Sequence, residues 1–166
     1  MTTAPVLGPL DVRLRARLLA EEALHAYAET IDAGEFEAWA AMFADASSYR
    51  LVPRENAERG LPIALMDCPT KAWIDDRATA ILHASIYSPH RYRHLYGNLV
   101  VTDASDDRAT VQCSYAVYRT STVGDTELLS VGTVDAEVLL GAAAPIAHMT
   151  VVYDTARIPG VLVFPL

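Results

Sequence analysis

Residues 111–118 read Val-Gln-Cys-Ser-Tyr-Ala-Val-Tyr, and this stretch decides the fold. Val111, Cys113, Tyr115 and Val117 alternate with Gln112, Ser114 and Tyr118, the period of two expected of a half-buried strand. Cys113 falls on the apolar side, as a small core residue would. Downstream, Thr120 to Thr126 forms a turn around Gly124, and Glu127 to Leu140 is a second long strand. After another turn at Gly141 to Pro145, Ile146 to Asp154 is the last one. Upstream, the polar cluster Asp103 to Asp107 separates the quoted strand from Leu99-Val100-Val101. Strands joined by such short turns form an antiparallel meander.

The residues before the meander have a helical period. From Asp11, a plausible N-cap, Leu19, Ala23, Tyr27 and Ile31 recur every four residues and share one face. Gly34 ends that helix, suited to the left-handed position after it. Phe36, Trp39 and Phe43 form an aromatic stripe on a shorter helix over 35–42, a core stripe rather than a cofactor box. Tyr49 to Val52 is a short strand stopped by Pro53, and residues 53–69 are a loop. A third helix over 70–85 buries Ile74, Ala78, Ile81 and Leu82, with Asp75 and Asp76 towards its N-terminal end. With Pro5, Gly8 and Pro9, residues 1–10 read as an N-terminal arm. Residues 11–166 are then a single α+β domain, a strongly bent antiparallel sheet wrapped around three N-terminal helices.

Composition narrows the function. The chain has 166 residues, 13 Lys+Arg against 21 Asp+Glu, and a formal net charge of -8. That balance argues against nucleic acid, whose phosphates need clustered positive charge. No stretch reaches the roughly 18 apolar residues of a membrane helix, and Met1 to Leu10 lacks the charge and apolar run of a secretory signal. A cytoplasmic protein is expected. Cys68 and Cys113 belong to no Cys-x-x-Cys pair, so two reduced thiols are expected. A 52% apolar share suits a chain that buries surface against partners.

Two sets of residues could carry chemistry. Asp45, His94 and His148, with Tyr49 or Tyr115, could serve as acid and base in a pocket between sheet and helices, as in a stand-alone lyase, isomerase or cyclase. An open cavity holding His94 or His148 beside an acid would favour this reading, whereas an interior filled by Tyr, Phe and Trp would count against it. The second set lies in Ser88-Pro-His-Arg-Tyr-Arg-His-Leu-Tyr96, which concentrates Arg91, Arg93, His90 and His94 with Tyr92 and Tyr96 in an otherwise acidic chain. Arg and Tyr are enriched in interface hot spots. The rival readings of this segment are a solvated loop or ion pairs with Asp75, Asp76 or Glu55. His90 and His94 also have the spacing of helical metal ligands, but Pro89 and Gly97 flank them and no His-Glu-x-x-His pattern is present. The loop with Pro53-Arg54-Glu55-Asn56 and Gly60-Leu61-Pro62-Ile63 is a further candidate docking surface, with a plain surface excursion as the rival reading.

The same residues resemble a known family. Trp39-x-x-Met42-Phe43, Asp45, Tyr49-Arg50, Pro53-Arg-Glu-Asn56, Gly60-Leu-Pro62 and the helix 70–85 occur in its order and spacing. So do Ser88 to His94, Tyr118-Arg119 and the ending Tyr153-Asp154…Ile158-Pro-Gly…Phe-Pro-Leu166. They resemble the small (β) subunit of aromatic-ring-hydroxylating dioxygenases, of the branch acting on carboxylated aromatics such as anthranilate, salicylate or terephthalate. The resemblance implies a cone-shaped nuclear transport factor 2-like, or cystatin-like, fold. It implies three β subunits forming a heterohexamer with three catalytic α subunits, which carry a Rieske 2Fe–2S cluster and a mononuclear iron. The β subunit is then structural, with no catalytic, metal or cofactor residues of its own, and Arg54, Glu55, Arg91, Tyr92, Arg93, His94 and Tyr96 are subunit-contact residues. A Rieske centre needs paired Cys and His ligands, and neither Cys68 nor Cys113 has a near His partner in sequence. A non-catalytic binding module of the same fold is a third reading.

Overall fold

The computed structural model describes residues 9–141, 143–155 and 162–166. Helix α1 (Pro9–Ala33) buries Ala16, Ala20, Ala23, Leu24, Tyr27 and Ile31, so the period-four stripe packs as expected. It begins at Pro9 rather than after Asp11, which lies in its first turn; Pro is pre-set for that position. It ends in a Schellman motif. Gly34, at φ +78, donates to Ile31 O, and Glu35 N–H donates to Thr30 O at 2.8 Å. Residues 1–8 of the expected arm lie outside the described residues. Helix α2 (Phe36–Ala41) carries the aromatic stripe inward with Phe43, which opens strand β1 (Phe43–Pro53).

The expected loop over 53–69 holds two further elements, the short helix α3 (Arg54–Glu58) and strand β2 (Met66–Cys68). Both are too short to show a period, and β2 is fixed by its antiparallel ladder with β1. Helix α4 (Lys71–His83) buries Ile74, Ala78 and Ile81, but Leu82 faces out. Leu82 follows Ile81 directly, and a helix turns about 100° per residue, so the two cannot share the narrow buried face.

The meander is β3 (His90–Ala104), β4 (Arg108–Ser121), β5 (Thr126–Leu139) and β6 (Ile146–Tyr153). The sheet order is β2-β1-β6-β5-β4-β3. All pairings are antiparallel except β1 with β6, which is parallel from Ser48↔His148 to Pro53↔Tyr153. Hairpin lengths predict the meander; they say nothing of which edge a detached strand joins. β5 and β6 approach closely at Gly132, where a Cβ would lie 1.9 Å from Val152 O, so no larger residue fits there.

The largest departure from the sequence reading is β3. It starts at His90, not Leu99, so Arg91 to Tyr96 are strand rather than loop. Its inward positions are filled by Tyr92, His94 and Tyr96, polar aromatics that do not read as a hydrophobic face. Helices α1, α2 and α4 cover one face of the sheet, and α1 lies against β3 and β4. The cone so formed is filled by rings: Tyr27, Trp39, Phe43 and Tyr49 meet at centroid distances of 5.5–6.4 Å.

Candidate functional site

β3 carries one row of side chains into the cone and another out of it. On the inner row, His94 meets Asp32, the penultimate residue of α1. The His94 backbone N–H donates to the Asp32 carboxylate at 3.1 Å, and Nδ1 lies 2.7 Å from Oδ1. Facing a carboxylate oxygen, Nδ1 is the donor in this contact. Nε2 is shut off from solvent without a protein partner, as is the Tyr96 hydroxyl. An acid at a helix C-terminus opposes the dipole. Asp32 is held there by the two bonds from His94 and by Arg93, whose guanidinium lies 3.6 Å away. Asp32 was not among the sequence candidates. The available signal was its position beside Ile31 at the end of an apolar stripe, the wrong end of a helix for a carboxylate.

The three acid-base candidates do not converge. His94 is interior, whereas Asp45 and His148 share an outer groove of about 680 Å³ with Arg108 and Glu137, where Nδ1 of His148 lies 3.0 Å from Ser48 Oγ. The candidate tyrosines are held neutral. Burial raises Tyr49 and Tyr92 to about 12 and pushes Tyr27, Tyr96 and Tyr115 up as well. Tyr115 is fixed by Ser130 at 2.8 Å.

The proposed contact residues split across the strand. Tyr92 and His94 are buried, and Tyr96 is largely so. Arg91 and Arg93 point outward, and Arg93 is 74% exposed. Arg93 pairs with Asp32, not with Asp75, Asp76 or Glu55; Asp75 is engaged by Lys71 and Glu55 by Arg59. The Arg91 guanidinium has no partner among the described residues. Across the outer face, Arg93 opposes Tyr118, which opposes Leu128, and Leu95 lies beside them, giving a basic and apolar patch. Arg54 is bound to Asp154 at 2.5 Å and to Glu58 at 3.8 Å, which raises its guanidinium further. A second opening, of about 790 Å³, lies between the end of α1, the end of α4 and the start of β3, with Phe164 among its lining residues and Ile86 almost fully exposed.

The residues present do not fit an iron-sulfur centre. Cys68 and Cys113 are free and buried, and strands β1, β6 and β5 lie between theirs in the sheet. Burial raises both thiols, Cys113 to about 11, which opposes the thiolate a metal needs. Among the described residues, no three His, Cys, Asp or Glu side chains come together as a metal site.

Comparison with known proteins gives one consistent answer. The family model described as "Ring hydroxylating beta subunit" matches residues 26–160. The chain is 30% identical over 141 residues to the anthranilate 1,2-dioxygenase small subunit of Burkholderia cepacia, covering 84% of this chain and 88% of that subunit. It is 27% identical to the beta 1 subunit of the terephthalate 1,2-dioxygenase terminal oxygenase component of a Comamonas species, covering 81% and 92%. A crystal structure from Novosphingobium aromaticivorans, of a beta subunit assigned to an aromatic-ring-hydroxylating dioxygenase, superposes with a TM-score of 0.81. Identity to it is 31%, with 90% of this chain and 95% of that one covered.

Proposed function

Because the chain belongs to the ring hydroxylating beta subunit family, we propose that it is the non-catalytic structural β subunit of a dioxygenase acting on a carboxylated aromatic. In this reading it assembles with a catalytic α subunit and with further copies of itself, three of each, in the cytoplasm. The α subunit holds the Rieske cluster and the mononuclear iron. The match over residues 26–160 carries the reading, and the likeness to anthranilate and terephthalate dioxygenase subunits supports the substrate class. No described helix is long and apolar enough to cross a membrane.

The filled cone supports a scaffolding role. In this structure Tyr27, Trp39, Phe43, Tyr49 and residues 163–166 fill the interior, and His94 Nε2 is closed to solvent. Two observations stand on the side of a stand-alone lyase, isomerase or cyclase: the Asp32–His94 pair, which is closed to solvent, and the outer groove that holds His148 with Asp45 and Glu137, which lies apart from that pair. Subunit contacts are assigned to the outer residues Arg91 and Arg93 and to the Arg54–Glu55 corner. Arg91, with no partner among the described residues, can pair a carboxylate of a neighbouring subunit in bidentate fashion.

Co-expression with a cognate catalytic large subunit tests the proposal. The two chains should co-purify, and large-subunit turnover should depend on this chain. A large subunit that assembles and turns over without it overturns the reading. The chain purified alone should contain no iron and show no visible iron-sulfur absorbance.

A further inference from the structure

Residues 162–166 return to the cone, and Val163, Phe164 and Leu166 are buried. Phe164 is wedged between Phe36, His90, Tyr87 and Tyr92 at centroid distances of 4.6–5.1 Å. Leu166 reaches further in and is completely buried. Its backbone oxygen accepts from the hydroxyls of Tyr27 at 3.0 Å and Tyr49 at 3.2 Å, and its N–H donates to the Tyr49 oxygen at 3.0 Å. Val163 O accepts from Arg77 Nη2 at 2.5 Å.

The chamber around Leu166 holds more donors than this segment satisfies. Arg77 Nε is buried without an acceptor, and so is the Tyr96 hydroxyl beside Tyr27, whereas the Trp39 indole N–H faces the Tyr27 hydroxyl. Buried donors without acceptors are rare in folded proteins and call for an explanation. Here two phenol hydroxyls converge on one oxygen of a fully buried residue with a branched four-carbon side chain, and the Arg77 guanidinium donates to a carbonyl three residues before it. That is the recognition chemistry of a small hydrophobic carboxylate: an apolar body with an acceptor-only head group at one end.

We propose that the interior of the cone is a latent binding site for a small branched carboxylic acid, closed in this structure by residues 163–166, with Leu166 standing in for the ligand. Tyr27 and Tyr49 hold the ligand's head group, and Arg77 neutralises it. The proposal does not rest on the family reading, since it uses only contacts inside this chain.

The probe is 4-methylpentanoate, which reproduces the leucine side chain and carries a carboxylate. Titration calorimetry compares the intact chain with one truncated after residue 161. The truncated chain should bind one equivalent at least about tenfold more tightly than the intact chain. Tyr27→Phe with Tyr49→Phe in the truncated background should lose at least about tenfold of that affinity. A folded truncated chain that does not bind, or that binds equally without the two hydroxyls, overturns the proposal. If the truncated chain does not fold, full-length Phe164→Ala, which loosens the closing segment, takes its place. The probe must then bind and speed amide exchange at Leu166; absence of both overturns the proposal.

Discussion

The two faces of strand β3 divide the six residues 91–96 between opposite roles. On the inner face, Tyr92, His94 and Tyr96 are packed among rings and tied to α1 through Asp32. On the outer face, Arg91, Arg93 and Leu95 stand in solvent, and Arg91 has no partner among the described residues. Strand geometry alone separates them, since successive side chains point to opposite sides of a sheet. The comparison teaches that a run of Arg, His and Tyr is not one functional unit. Its tyrosines and the buried histidine pack into the fold, whereas its arginines face outward, Arg93 paired with Asp32.

Substitutions on the two faces should therefore differ in size and in kind. Tyr92→Ala removes a buried ring packed against Phe164 and His90, and should cost about 3–4 kcal/mol in urea unfolding. Asp32→Ala leaves the His94 N–H and Nδ1–H unpaired inside the protein and should cost about 3 kcal/mol; a cost below about 1 kcal/mol would show that the clasp between α1 and β3 does not hold the strand.

Alkaline pH tests the inner face without mutation. The Cys113 thiol ionises near its ordinary 9.0 when unfolded and at about 11 when folded, and Tyr49 and Tyr92 move from 10.0 to about 12. Protons are thus lost on unfolding, and stability is complete below pH 9 and falls as pH rises through 9–12. Replacing Cys113 by Ala should flatten the first part of that fall, by roughly 2 kcal/mol at most. The smallest effect belongs to the outer face. Arg93→Ala breaks a largely exposed pair and should cost less than about 1 kcal/mol, in the same unfolding assay.

The same contrast explains what was legible in the sequence. Strand β4 was plain because Val111, Cys113, Tyr115 and Val117 bury apolar atoms at a strict period of two, and α1 because Ala and Leu share its inner stripe. The first half of β3 was not, because its inner row carries polar atoms satisfied only by tertiary contacts. Asp32 and His94 are 62 residues apart, and no local pattern links them. The parallel seam of β1 on β6 and the burial of Phe164 and Leu166 likewise depend on where distant segments dock. The family order of motifs identified the chain, whereas the contact set read from the Arg and Tyr content of residues 88–96 mixed both faces of one strand.

The decisive measurement is the native mass of the complex formed with a tagged catalytic large subunit, for the wild-type chain and for Arg91→Glu combined with Leu95→Glu. The wild-type chain should appear in an assembly of three large and three small subunits. The double variant should keep about the wild-type Tm yet be missing from the complex. A variant that still assembles in full, or a large subunit that reaches its final mass and turns over without this chain, would contradict the account.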